Sequence, residues 1–441
     1  MTPQTPSNRR LRDVSSSSDS SANAVMTSSA GFESAVAANT DVNLQNMPDP
    51  IANDEGSPKA RAPQTNFDFD DLSLLDRITD DEASSESMAM APRTNLNFAD
   101  LELKRMLSIH SQVSTTSSYT HTQALGTESF RKIGLGTFGT ILAQDGKSVV
   151  LTLAKSGDDN TLRNDYKQHL LIASSFKKYI INEVRIPNCI NFIPKSNTEF
   201  FRQRPSLVRA AEGTCHFPTG ALISERILPL PKPIRQLLIE KYCNERIKAE
   251  ATSAVGNINC LIRVYLGSME GRGAGRFFLL QNFKMHLGML ARIQLNVDGM
   301  ARRMGHAMAV MHWAAKTDAR DVEFVLGSST AKGAAVQGAI EDCSQRITEL
   351  WLLDFNQVKN ITMDKAGVDQ AVEAAITNDP HFPKPRRKSY VERSVWNSFV
   401  KHYIKVSDVI IRDLYDESMA ELPRLFIRGL INAEANKHAT T

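Results

Sequence analysis

Seven side chains in this sequence are of types that handle phosphate. Lys155 ends an apolar run that starts at Val149, and Asp165 follows ten residues later. Far downstream a polar stretch carries Asp318, Arg320, Asp321 and Glu323, and a second apolar run, Leu350–Leu353, stops abruptly in Asp354. A lysine can neutralise phosphate oxygens. Carboxylates brought to one floor can hold a divalent cation or take a proton from a hydroxyl. Those are the requirements of metal-assisted phosphoryl transfer.

The elements that must position these groups can be read in outline. Met300, Met304, Ala307, Met308 and Met311 fall at helical spacing and predict a helix over Asp298–Trp313 with an apolar core stripe. The acidic loop follows, then a short strand at Phe324–Leu326, and Leu350–Leu353 predicts a second. Helix, acidic loop, strand, strand, acid is an order that delivers two or three carboxylates to one place.

Upstream, Ser129–Gly134 reads as a strand, followed by Gly134, Gly136, Phe138 and Gly139. Asp145-Gly146 is a hairpin turn signal, and a β-rich run leads into Lys155. Because a strand and not a helix follows the glycines, they read as a loop between antiparallel strands rather than the opening of a dinucleotide fold. Without a Cβ, backbone N–H groups there can approach phosphate oxygens, and Phe138 at the tip would shield them. Leu151, Leu153 and Lys155 share one face at period two. A helix starts after Asp158-Asp159-Asn160, with Leu162, Tyr166, His169, Ala173 and Phe176 at helical spacing. Ala221–Pro231 reads as a strand running into a proline-stiffened linker, and a helix follows from Pro233. Cys260–Gly267 and Arg276–Leu280 suggest a hairpin around a glycine-rich loop. Trp396, Phe399, Tyr403 and Val406 lie on one face of a C-terminal helix.

The chain has 441 residues and a net charge of +3, which hides an asymmetry. Residues 1–125 hold 9 lysines and arginines against 17 acids, a net of −8, and leave +11 for the rest. Residues 1–122 are polar, serine-rich and without sustained period, and read as a disordered acidic tail. Two acidic-apolar islands interrupt it, Phe67–Leu75 and Leu96–Met106; the second is expected to form an amphipathic helix on a partner or on the body. An acidic tail beside a basic body can fold back on it electrostatically or bind a basic protein partner. Nucleic-acid binding rests on the charge of the body alone. The five cysteines, Cys189, Cys215, Cys243, Cys260 and Cys343, show no Cys-x-x-Cys spacing, which argues against a zinc finger or a disulfide framework. No apolar run has membrane-spanning length. The expected setting is intracellular, in cytoplasm or nucleus.

Taken together, these segments resemble the protein-kinase and aminoglycoside-phosphotransferase-like fold. Asp318-x-x-x-x-Glu323-Phe-Val-Leu resembles that fold's catalytic loop, and Asp354-Phe355-Asn356 resembles its metal-binding Asp-Phe-Gly. Asn164-Asp-Tyr-x-x-His169, Glu225-Arg-Ile-x-Pro-Leu-Pro231, Leu261-x-Arg-Val-Tyr-Leu-Gly267, Asp321-Val-Glu-Phe-Val-Leu-Gly327 and Asn378-Asp-Pro-x-x-Pro-x-Pro385 are similar to an uncharacterised fungal family often labelled zinc finger protein.

The resemblance implies an α+β, two-lobed fold: a small antiparallel β lobe over 123–230 and a larger, mainly helical lobe over 231–435. It implies ATP under a flap of Gly134, Gly136, Phe138 and Gly139, with Lys155 on the phosphates and Asp165 holding Lys155. It implies Mg²⁺ on Asp354 and Glu323, and Asp318 as the base for an acceptor hydroxyl. Three departures stand out. Glu323 replaces the usual Asn, Asn356 replaces the Gly, and His312 lies six residues before Asp318 instead of two. Two functions follow: an ATP- and Mg²⁺-dependent phosphotransferase on a small-molecule or protein hydroxyl, or a pseudokinase that binds nucleotide or partners without transfer.

Overall fold

The computed structural model describes residues 96–114, 129–144, 147–271, 278–330 and 345–439, with residues 438 and 439 described by their backbone alone. It opens with a helix, α1 (Phe98–Leu107), and a three-residue strand, β1 (Gln112–Ser114). The expected tail reached residue 122, so this part of the expectation is corrected. Residues 96–114 are ordered because Leu103, Met106, Leu107 and Val113 enter the main hydrophobic core. The island at 67–75, the Asp145-Gly146 turn, Gly333–Gly338 and Cys343 lie outside the described residues.

One sheet grows from the glycine-rich hairpin. β2 (Phe130–Leu135), β3 (Gly139–Gln144) and β4 (Val149–Ala154) pair antiparallel in sequence, and α2 (Asn160–Lys178) follows. β5 (Cys189–Ile193), two short helices, α3 (Thr198–Arg202) and α4 (Pro205–Ala211), and β6 (Ala221–Glu225) complete this part. The order is β2-β3-β4-β6-β5, antiparallel throughout. Gly139 has to be glycine: a Cβ there would come within 2.7 Å of Thr152 Cγ2 on the neighbouring strand.

After α5 (Lys232–Tyr242) and α6 (Lys248–Ser253) the second sheet begins with β7 (Ile262–Tyr265) and β8 (Phe283–His286). The expected hairpin at 260–280 is corrected here. Residues 278–280 form no strand, and β8 runs parallel to β7. The cause is a contact remote in sequence: Asn257 Oδ1 accepts the Leu280 N–H at 2.6 Å, and Phe283 donates to Leu261 O at 3.0 Å, so the chain turns before pairing. α7 (Leu287–Arg292) and α8 (Val297–Ala309) follow, and Val310–Ala314 continues as a π-helical turn. β9 (Glu323–Thr330) and β10 (Gln345–Leu353) pair antiparallel over eight positions, longer than the short strands expected. β1 joins the outer half of β10, giving the order β1-β10-β9-β7-β8.

α9 (Lys365–Thr377), α10 (Tyr390–Leu414) and α11 (Leu422–Ala439) close the chain. α8 crosses α10 closely, with Gly305 placed so that a Cβ would meet Phe399 O at 2.6 Å. Trp396, Phe399 and Tyr403 stack along α10 at 6.1 and 6.0 Å, as their helical spacing predicts. The described chain is thus a mixed α+β protein with two five-stranded sheets and eleven α-helices. No helix among the described residues is long and apolar enough to cross a membrane.

Candidate functional site

The loop that leaves β10 is gripped by α2. Asn164 Nδ2 donates to Asn356 O at 2.9 Å and Val358 O at 3.0 Å, and Gln168 Nε2 donates to Asn360 Oδ1 at 3.1 Å. The His169 ring packs 5.0 Å from Phe355 while its Nε2 meets Pro187 O. The Asn164-Asp-Tyr-x-x-His169 segment therefore reads as a clamp for residues 355–360. Asp165 belongs to that clamp: its carboxyl accepts the Phe355 N–H. Burial, and secondarily the Asp354 charge, pushes Asp165 up to about 8, so it is mostly protonated at neutral pH.

Asp354 itself sits at φ +70°, a left-handed turn that ends β10, and its Oδ1 accepts from Asn356 Nδ2. Burial raises it to about 6, with Asp321 adding to the rise. Glu323, at the start of β9, is raised to about 7, first by burial. Asp321, also left-handed at φ +63°, accepts from Gln357 Nε2, and its N–H is held by Asn378 Oδ1 at 2.6 Å. Asn378 Nδ2 closes the same turn on Ala319 O at 3.1 Å. Thus Asp165, Asp321, Glu323 and Asp354 share one electrostatic neighbourhood, each raised by burial first.

Their counter-charge comes from within the fold. Arg263 on β7 reaches across to Glu323, Nη1 to Oε1 at 2.8 Å. The same guanidinium lowers Asp321 and Asp354 against the effect of burial, and shares a hydrogen bond with the Tyr265 phenol. In the sequence Arg263 lies within the Leu261–Gly267 segment with no role marked for it. The available signal was an arginine alternating with Ile262, Val264 and Tyr265 in a buried strand, where a charge needs a partner.

Asp318 is placed differently from the other acids. Its residue is fully buried, with Oδ1 accepting the N–H groups of Lys359 at 2.9 Å and Arg320 at 3.1 Å. Oδ2 accepts Gln370 Nε2 at 2.9 Å, and the Asp318 N–H donates to Lys359 O at 2.9 Å. This carboxylate fastens the 316–321 turn to the 359–361 loop and α9. Arg320 turns outward to Glu373 at 2.8 Å. His312, expected near this loop, is buried, and its Nδ1 meets Tyr403 Oη at 2.9 Å. Burial lowers His312 to about 3, keeping it neutral.

Lys155 stands just past β4. Its N–H donates to Phe138 O at 3.0 Å, which fixes the glycine-rich hairpin against the end of β4. Its half-buried side chain makes no ion pair among the described residues, with Asp165 or any other acid. Leu135 and Phe138 at the hairpin tip are exposed, 55% and 40%. The structure therefore gathers Asp165, Asp321, Glu323 and Asp354, and keeps Lys155 and Asp318 out of the charges that dominate them.

Of the two carboxylates that the resemblance gives to Mg²⁺, Glu323 is paired with Arg263, and among the described residues no group of three or more His, Cys, Asp or Glu is arranged to hold a metal ion.

Residues 350–414 match the model of a family described as zinc finger protein, domain of unknown function 3669. The matched span holds the end of β10, the clamped loop, α9 and α10, and so the Asp354 side of the site. The zinc in that description has no counterpart among the described residues. Cys189, Cys215, Cys243 and Cys260 are free thiols, and burial raises Cys189 and Cys260 to about 12, away from the thiolate a metal takes. Among curated proteins nothing matches the chain.

Proposed function

We propose that this protein is a kinase-like module that binds a nucleotide without transferring its phosphate. The observation that carries the reading is Asp318. Its carboxylate is buried and spans Arg320, Lys359 and Gln370, so it is not available to deprotonate an acceptor hydroxyl.

Support for the nucleotide half comes from the antiparallel order β2-β3-β4-β6-β5 with α2 between β4 and β5, consistent with the resemblance. Gly134, Gly136, Phe138 and Gly139 form the hairpin that would cover the phosphates, and Lys155, with no ion-pair partner among the described residues, is the cation for them. The Arg263–Glu323 pair supports a metal-independent mode, because a guanidinium already stands among the acids.

The test is label transfer from γ-labelled ATP in magnesium, using full chain and Asp318→Asn. Equal, background-level signal in both is expected. Turnover by the full chain that Asp318→Asn abolishes would restore the phosphotransferase reading.

A further inference from the structure

Residues 89–103 repeat residues 60–74. Both read Ala-x-Ala-Pro-x-Thr-Asn-x-x-Phe-x-Asp-Leu-x-Leu, with nine of fifteen positions fixed and an offset of 29 residues. Residues 60–78 lie outside the described residues, whereas the later copy runs into α1 and is described from residue 96.

α1 is seated like a peptide ligand in a groove. Its Leu103, Met106 and Leu107 are 1%, 3% and 0% exposed in the core that also holds Ile234 and Leu238 of α5. Asp100 is ion-paired with Lys241 of α5, and Asn97 caps the helix through the Asp100 N–H at 2.8 Å. Thr348 Oγ1 on β10 donates to Met106 O at 2.7 Å. Phe98 and Leu101 face outward, 81% and 49% exposed.

The earlier copy carries the same signals at the same offset. Asp71, Leu74 and Ile78 stand at the positions of Asp100, Leu103 and Leu107, and Asp68 stands at the position of the cap Asn97. Phe69 and Leu72 repeat the outward Phe98 and Leu101, so the solvent face of the pattern is preserved, and the groove face is preserved at Asp71, Leu74 and Ile78. We propose that the groove between α5 and β10 is a peptide site with two ligands in this chain, and that residues 68–78 compete with residues 97–107 for it.

The helix-in-groove mode explains the pattern: an acid for Lys241 and apolar residues three and seven positions later. The two copies are not equal. Arg77 replaces the buried Met106, and Ser84 stands where Val113 anchors β1 to β10, so the later copy holds the site by default. If it leaves, the 29 residues of offset, taken as a random coil, span about 30 Å on average, enough to deliver the earlier copy. The inference does not rest on nucleotide binding.

The test uses the full chain and a zero-length carbodiimide, which couples a carboxylate to an amine it touches. Coupled peptides are read by mass spectrometry, and monomer is separated from dimer by gel. The wild type should give Asp100–Lys241. Asp100→Asn should give Asp71–Lys241 in the monomer band, raised about ten-fold over wild type and raised further in Asp100→Asn/Leu103→Ala. Asp71→Asn/Asp100→Asn should give neither. Circular dichroism checks that each variant is folded, and Asp100→Asn decides alone if Leu103→Ala unfolds the chain. Absence of Asp71–Lys241 from the folded Asp100→Asn variant would overturn the proposal, as would its appearance in the dimer band alone.

Discussion

Arg263 and Glu323 stand on neighbouring antiparallel strands, β7 and β9, with the guanidinium 2.8 Å from the carboxylate. This pair supplies the positive charge for a group of acids that burial has raised. Replacing Arg263 by Gln is expected to cost about 2 kcal/mol at pH 7.5, below the figure for a fully buried pair because the side chain is partly exposed. The cost should shrink at pH 5, where Glu323 and Asp354 can take up protons instead. Denaturant titrations at the two pH values check this; an equal cost at both would count against the pairing.

The raised carboxyls also set a pH dependence for the native protein. Asp165 is raised from 3.8 to about 8 and Glu323 from 4.5 to about 7, so the folded state binds protons that the unfolded chain releases. Their stabilisation is complete below the ordinary carboxylate range and is lost as pH rises through the folded values. The buried histidines act in the opposite direction, but His306, His381 and His402, lowered to about 4, matter only as pH falls below 6.5. From pH 7 to 8.5 stability should therefore fall, at up to about 1.4 kcal/mol per pH unit for each such carboxyl. Asp165→Asn should flatten the melting-temperature profile over that range. A profile as steep in the variant as in the wild type would show that Asp165 is ionised.

Asp318→Asn places an amide among two N–H donors and the Gln370 amide. One Asn oxygen can accept, but the new NH₂ has nothing to donate to there, so a loss of about 2 kcal/mol is expected. Chemical denaturation measures it. Undiminished stability would mean that the three bonds contribute little and that the carboxylate is free to move.

Gly267 lies where a Cβ would come within 2.3 Å of Phe382 O and 2.9 Å of Pro380 O, and its N–H donates to Pro380 O at 2.9 Å. Since both obstacles are backbone, Gly267→Ala should cost at least about 2 kcal/mol. A change within about 0.5 kcal/mol would be an ordinary surface effect and would contradict the close approach.

What the sequence discloses follows the range of the forces involved. β2 to β4 and α2 are legible because glycine positions, period and the Asp158–Asn160 start are local signals. The parallel course of β8 is not, since it depends on the Asn257 side chain holding Leu280, twenty-three residues away. The island at 96–106 reads as amphipathic, but Lys241 and Thr348, its receptors, are remote in sequence. The candidate acids were legible by type and spacing. Their states were not: Asp318 looks like a base until the Lys359 N–H is seen on it, and Asp165 looks like a partner for Lys155 until the Phe355 N–H is seen there. Arg263 escaped notice because its partner lies sixty residues further on.

We propose that Arg263, and not a metal ion, neutralises the buried acids, and that Lys155 takes the phosphates of a nucleotide. Calorimetric titration of ATP into the full chain, first in EDTA and then in excess magnesium, tests it most directly. The account predicts affinities equal within about two-fold in the two conditions, and lost in Lys155→Ala. An affinity that magnesium raises about ten-fold or more and that Asp354→Asn removes, or no binding in either condition, would contradict it.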